Sequence, residues 1–170
     1  VQLLSGGRLV KTREFGAPRD VGDPVASSKV YSAQQADELV FLNIDRGART
    51  VKTMLDLLER VSEVVFMPLA LGGGIASFED AEALLRYGAD KVVVNSAVYR
   101  DVSLVSRIAD RFGAQAVVVA MDARRDPETG SVSLWSDCGR QREEVPVLEH
   151  VGRVIEAGAG VGSSIPDADF

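Results

Sequence analysis

The stretch "PLALGGGIASFED", Pro68 to Asp80, decides the architecture. An apolar run is followed by Gly72, Gly73 and Gly74 and then by a helix-start signal, Ser77 with Asp80 three residues on. A serine and an acidic residue at that spacing satisfy each other's orphan backbone donors at a helix N-terminus. Three residues without side chains between a strand and a helix cost conformational entropy, so something must need the bare backbone. Amide N–H groups at the carboxyl end of a strand, beside a helix start, suit an anion, and phosphate is the usual one. The competing reading is that the glycines only let loop and helix pack closely.

The same alternation runs outward in both directions. "ELVFLNI" (Glu38 to Ile44) precedes "TVKTMLDLLERV", where Val51, Met54, Leu55, Leu58 and Val61 keep the spacing of an amphipathic helix. "VVFMPLAL" (Val64 to Leu71) precedes the helix that starts at Ser77 and closes at Gly88. "DKVVVNS" (Asp90 to Ser96) leads into "DVSLVSRIADRF", and "QAVVVAMD" (Gln115 to Asp122) comes after it. Near the start, "SGG" turns the chain back into "RLVK", and Asp23 with Pro24 predicts a helix cap and first turn, the helix running to about Ala36. After Asp122, "RRDPETGSVSLW" reads as an excursion turning at Thr129 and Gly130. A helix from about Glu144 to Ala157 comes next, with Pro146 in its first turn. The strands are apolar on both faces, as buried parallel strands are, so the fold class is α/β with a parallel sheet and roughly four and a half βα units. No linker or low-complexity segment divides them.

Composition narrows the function classes. The 170 residues are 46% hydrophobic and carry a net charge of −6, enough for a sizeable core and wrong for an electrostatic grip on nucleic acid or an anionic membrane. One cysteine, Cys138, and one histidine, His150, provide neither an internal disulfide nor a His/Cys cluster for zinc, so both are expected to be structural and no metal or cofactor is expected. No run approaches the roughly 18 apolar residues of a membrane span and the start lacks a signal-peptide layout; the cytoplasm is the expected location.

The candidate site gathers at the strand ends. Asn95 and Ser96 close the strand after the glycines, where an amide and a hydroxyl can complete a phosphate's oxygen shell. Asp122 stands where the fifth strand stops, placed to face a site; the alternatives are a helix cap or an ion pair with Arg124 or Arg125. Lys11, after the first turn, can balance a phosphate charge or stand as a solvated surface lysine.

Taken in order and spacing, "GRLVKT", "GDPV", "ADELVFL", "TMLDLLERV", "PLALGGGIASFEDAEALLRYGADKVVVNSA" and "DRFGAQAVVVAMDARR" resemble the cyclase-subunit family of imidazole glycerol phosphate synthase, from Gly7 to about Gly160. The resemblance implies a (βα)₈ TIM barrel, a lyase of histidine biosynthesis and a heterodimer with a glutaminase. It implies that ammonia from that glutamine amidotransferase attacks a phosphoribulosyl-formimino aminoimidazole carboxamide ribonucleotide, giving imidazole glycerol phosphate and aminoimidazole carboxamide ribonucleotide. By position, Gly73, Gly74, Asn95 and Ser96 would hold one phosphate and Asp122 would be a catalytic aspartate in proton transfer. Lys11 falls near the catalytic loop, and Lys91 at the far face, where the family gates ammonia entry.

Three departures bear on that assignment. The family's other catalytic aspartate falls at Leu3, which cannot exchange a proton, and the second strand's "LDI" reads "LNI", with Asn43 for a carboxylate. A branch of the family associated with surface polysaccharides also reads "LL" followed by "GGLVKT"; its members are thought to deliver ammonia to a nucleotide-activated sugar. A scaffold that binds phosphate without chemistry and the related isomerase are the further readings. The third departure is length: eight strands need about 250 residues. Residues 1–170 are therefore read as one partial barrel domain, units 1 to 5, from a longer gene or a self-associating half-barrel, inactive as an isolated monomer.

Overall fold

Strand and helix alternate along the chain as apolar runs give way to turn signals, and the helices that follow Asp23 and Ser77 open on side-chain caps. The structure, a computed structural model, describes residues 1–12, 17–45, 47 and 50–159. The described residues divide into two compact units, the first running to Val93 and the second starting at Val94. The end of the chain, where the resemblance stops near 160, lies outside the described residues.

In the first unit, β1 (Gln2–Ser5) pairs antiparallel with β2 (Arg8–Lys11), which pairs with β3 (Arg19–Gly22). On its other side β1 lies parallel to β4 (Leu39–Asn43), β4 to β5 (Leu69–Gly72) and β5 to β6 (Lys91–Val94). This is the expected α/β class, carrying the opening βα units of a (βα)₈ arrangement, with helices α1 (Pro24–Ala33), α2 (Thr50–Ser62) and α3 (Phe78–Arg86) between the strands. Asp23 caps α1 by accepting from the Ala26 N–H at 3.0 Å. The α3 capping box is complete: Ser77 Oγ accepts from Asp80 N at 3.2 Å, and Asp80 Oδ2 accepts from Ser77 N at 3.1 Å.

One strand boundary and one helix face differ from the sequence expectation. The third parallel strand starts at Leu69, not Val64, because Pro68 has no N–H for a ladder; its carbonyl accepts from Leu39 N instead, and Phe66 is 95% exposed. On α2 the buried stripe is Met54, Leu57, Leu58 and Val61, with Leu57 replacing the expected Leu55. Each fully buried leucine contributes about 1.5–3 kcal/mol, so this face anchors the helix.

The second unit carries α4 (Ser96–Arg100), directly after Asn95, and α5 (Ser103–Phe112). The short α4 is a separate helix that the sequence pattern alone does not divide from α5. A 3₁₀ turn, Ala114–Ala116, leads into β7 (Val117–Val119), shorter than the expected strand through Asp122. Asp122 instead opens a separate antiparallel sheet, β8 (Asp122–Arg125), β9 (Val132–Ser136) and β10 (Gln141–Arg142). The β8–β9 turn falls where "DPETG" predicts it, with Asp126 Oδ1 accepting from the N–H of Glu128 and Thr129 at 2.8 and 2.9 Å. Helix α6 is Val147–Glu156, with Pro146 as its cap residue, one position before the predicted first turn.

Candidate functional site

In the first unit the glycine segment turns directly off the sheet. Gly72 ends β5 under close packing: a Cβ there would lie 2.7 Å from Val93 Cβ and 2.8 Å from Leu42 Cδ2. Gly73 and Gly74 come next at φ +96° and +72°, a left-handed pair that side chains oppose. A Cβ on Gly73 would run into the Asn43 carbonyl, and one on Gly74 would stand 2.5 Å from Thr50 Cβ. The close-packing reading therefore holds at all three positions. It does not exclude the anion reading, in which backbone N–H groups after β5 meet an anion.

Asn43 and its neighbours shape that turn. Asn43 is buried; its Oδ1 accepts from Asp45 N at 2.9 Å, and its Nδ2 reaches Thr50 O at 3.5 Å. The position that the resemblance assigned to a carboxylate is thus spent on the loop before α2. Asp45, which sequence reasoning missed, ties the β1–β2 turn: Oδ1 accepts from Ser5 Oγ at 2.7 Å and Oδ2 from Gly6 N at 2.6 Å. Leu3 is half-buried on β1, with its Cα paired to Val10 and Leu42. The next residue after Val10 is Lys11, exposed at the end of β2 and paired in register with Arg19. At the opposite, amino end of the parallel strands, Lys91 Nζ meets Glu38 Oε1 at 2.7 Å.

In the second unit two predicted residues come together. Asn95 Nδ2 donates to Asp122 Oδ2 at 3.0 Å, and Asn95 Oδ1 is buried without a partner among the described residues. Burial pushes the Asp122 carboxyl above the ordinary carboxylate range; the Asn95 amide and the Arg124 charge act in the other direction. Desolvation thus wins, so the protonated form of this carboxyl is favoured relative to an ordinary surface aspartate. Arg124, an expected alternative partner, stacks its guanidinium 4.2 Å over the Trp135 ring and donates to Gly139 O at 3.0 Å. Ser96 Oγ accepts from Asp137 N at 2.9 Å, leaving its hydroxyl proton to donate elsewhere. Asp137 and Cys138 both hold positive φ, +53° and +56°.

Among the described residues, no group of three or more His, Cys, Asp or Glu could hold a metal ion, and no helix is long and apolar enough to cross a membrane. His150 is buried in a ring stack with Tyr99.

The sequence model of a family described as "Histidine biosynthesis protein" matches residues 3–162. Over 157 residues the chain is 42% identical to the imidazole glycerol phosphate synthase subunit HisF of Staphylococcus carnosus, covering 92% of this chain and 62% of that protein. The subunit of the same name from Trichormus variabilis is 45% identical over 159 residues, and that from Streptomyces coelicolor 43% over 157, with the same 92% and 62% coverage. The chain spans about three fifths of the length of the curated relatives it matches.

Proposed function

This chain belongs to the histidine biosynthesis protein family, and we propose that it is the ammonia-using, cyclase-type part of an imidazole glycerol phosphate synthase. The substrate is the phosphoribulosyl-formimino aminoimidazole carboxamide ribonucleotide, and the ammonia comes from a glutaminase subunit. The products are imidazole glycerol phosphate and aminoimidazole carboxamide ribonucleotide. The observation that carries this reading is the Asp122 carboxyl, raised by burial and held in one orientation by the Asn95 amide at 3.0 Å.

Asp122 takes the role of the group that moves protons as the ring closes, and Asn95 fixes which carboxylate oxygen is presented. Ser96, whose oxygen already accepts from Asp137 N, donates its hydroxyl proton to a phosphate oxygen. In the first unit, the amides of Gly73 and Gly74 take phosphate oxygens; a side chain at either position would strain the turn and close the approach. Lys11 supplies a positive charge toward the same anionic substrate. The Lys91–Glu38 ion pair, at the amino end of the strands, controls ammonia entry from the partner. The protein works in the cytoplasm, and residues 1–170 are part of one barrel domain that the rest of the chain or a second copy completes.

The test is product identification. Full-length protein is incubated with the ribonucleotide and an ammonium salt, and imidazole glycerol phosphate is sought by mass spectrometry. Its formation supports the reading and its absence under saturating ammonium overturns it. Leu3 favours a second reading, ammonia delivery to a nucleotide-activated sugar, because one of the two carboxylates used for ring closure is missing. An amidine-bearing sugar nucleotide in the same assay selects that reading; Leu3→Asp would then leave amidine formation unchanged, whereas in a ring-closing enzyme it raises turnover.

A further inference from the structure

The antiparallel hairpin that opens on Asp122 gathers Asp122, Arg124, Ser133 and Trp135 on one face. In the β8–β9 register Asp122 lies opposite Trp135 and Arg124 opposite Ser133, and residues two apart on a strand share a face. The indole is fixed at two points: its Nε1 donates to Ser133 Oγ at 3.0 Å, and the Arg124 guanidinium lies over its ring, 4.2 Å from the centroid. Arg124 therefore leans diagonally across the hairpin, onto the residue that faces Asp122, while one of its N–H groups donates to Gly139 O at 3.0 Å.

That posture has an electrostatic consequence. Arg124 is an exposed residue, and the charge of an exposed arginine is ordinarily spread over many rotamers and screened by water. Stacking on an indole and donating to a carbonyl remove that freedom without neutralising the guanidinium. Asp122 meets opposing influences: burial favours its protonated form, whereas the Asn95 amide and the Arg124 charge favour its ionised form. The other titratable and charged groups around this face are the Tyr99 phenol on α4, which feels the Asp122 charge, Glu143, which acts on the same phenol, and Arg142 on β10, paired in register with Trp135. Glu143 is engaged with the Ser136 hydroxyl.

We propose that Trp135 is a positioning residue for Asp122: its indole, with the Gly139 carbonyl, holds the Arg124 charge toward that carboxyl and so sets the pH range in which Asp122 passes protons. The proposal rests on Asp122 as the proton-transfer group of the reaction proposed above, and it adds two side chains that act through it.

The test reads the Asp122 carboxyl in the full-length protein without substrate. Aspartate is isotope-labelled at the side-chain carboxyl carbon, and the signal missing from Asp122→Asn is followed by NMR through a pH titration. Arg124→Gln removes the charge and moves the midpoint to higher pH. Trp135→Leu keeps the charge but releases it, and moves the midpoint in the same direction by less. Trp135→Phe, which keeps a ring under the guanidinium, and Arg124→Lys, which keeps a cation, stay closer to wild type than these two. In turnover, the limb of the kcat/KM pH profile that Asp122→Asn abolishes moves with the midpoint, so Arg124→Gln changes kcat/KM on that limb by about threefold or more, with KM at the pH optimum little changed. An Arg124→Gln or Trp135→Leu midpoint equal to that of wild type overturns the proposal, as does an Arg124→Lys midpoint displaced as far as that of Arg124→Gln. Should Trp135→Leu fail to fold, Trp135→Met, which keeps a long apolar side chain and removes the π face, takes its place. The two levels of failure are distinct: an unmoved carboxyl overturns the link and leaves the reaction standing, whereas a moving carboxyl in a protein that forms no imidazole glycerol phosphate overturns the reaction.

Discussion

Replacing Gly73 with alanine is the sharpest test of why the chain needs bare backbone after β5. The residue holds φ +96°, where an L side chain costs about 1–2 kcal/mol. The new Cβ would also collide with the Asn43 main chain, whose C and N atoms would lie 2.7 Å away. Asn43 ends β4, in register with Leu4 on β1, so its backbone cannot turn aside as a side chain would. Overpacking against such an obstacle adds about 1–3 kcal/mol. The sum, roughly 2–5 kcal/mol, is a large share of the stability of an ordinary domain. Gly74→Ala meets the Thr50 side chain at the first residue of α2 rather than a strand carbonyl, so its loss is smaller. Urea unfolding of the full-length variants measures both, with an unchanged m value showing that the unfolded state is the same. Phosphate is expected to raise the Tm of wild type and to lose that effect in Gly73→Ala. A Gly73→Ala protein within about 0.5 kcal/mol of wild type, or one more stable than Gly74→Ala, rules out this origin for the glycine.

Asp23→Ala removes the α1 cap and the Arg60 partner at 3.1 Å and is expected to cost about 1 kcal/mol at neutral pH. Because the Ala26 N–H holds the Asp23 pKa below its ordinary value of 3.8, that loss is present above 3.8 and disappears as pH falls through the lowered value; acid denaturation profiles of the two proteins should converge. Ser77→Ala breaks one arm of the α3 capping box while leaving Asp80 on the N–H of Ala76 and Ser77, so urea midpoints should report a loss of about 0.5–2 kcal/mol. Asp122→Asn tests stability against function. Since burial raises the Asp122 pKa, its contribution is favourable below the ordinary 3.8 and lost as pH rises through the raised value. At pH 7 the asparagine variant should unfold at equal or higher urea than wild type, and that advantage should shrink on acidification. A variant clearly less stable at pH 7 contradicts burial as the cause.

Local chemistry was readable in the sequence where one short stretch contains all the partners. Ser77 and Asp80 form their capping box, Asp23 caps α1, and the turn after Asp126 lies where "DPETG" puts it, because each bond closes within four residues. Parallel pairing followed from strands apolar on both faces. The misreadings arise where backbone chemistry cuts an apolar run: Pro68 delays β5, and the fifth strand stops before Asp122, which then begins a hairpin. Within the site, Asn95 and Asp122 were singled out separately, but their mutual bond spans 27 positions and only the fold reveals it. The Asp45 tether to Ser5 and the Tyr99–His150 stack are of the same kind, contacts between distant residues that periodicity and spacing do not encode.

The decisive measurement is the kinetics of Asp122→Asn in the full-length protein. With saturating ammonium as the nitrogen source, kcat and KM for imidazole glycerol phosphate formation are measured for wild type and variant. Loss of a positioned proton-transfer group predicts a fall in kcat of about 10²–10⁴ with KM little changed. A variant whose kcat stays within about threefold of wild type would show that Asp122 moves no proton in the rate-limiting chemistry, contradicting the assignment.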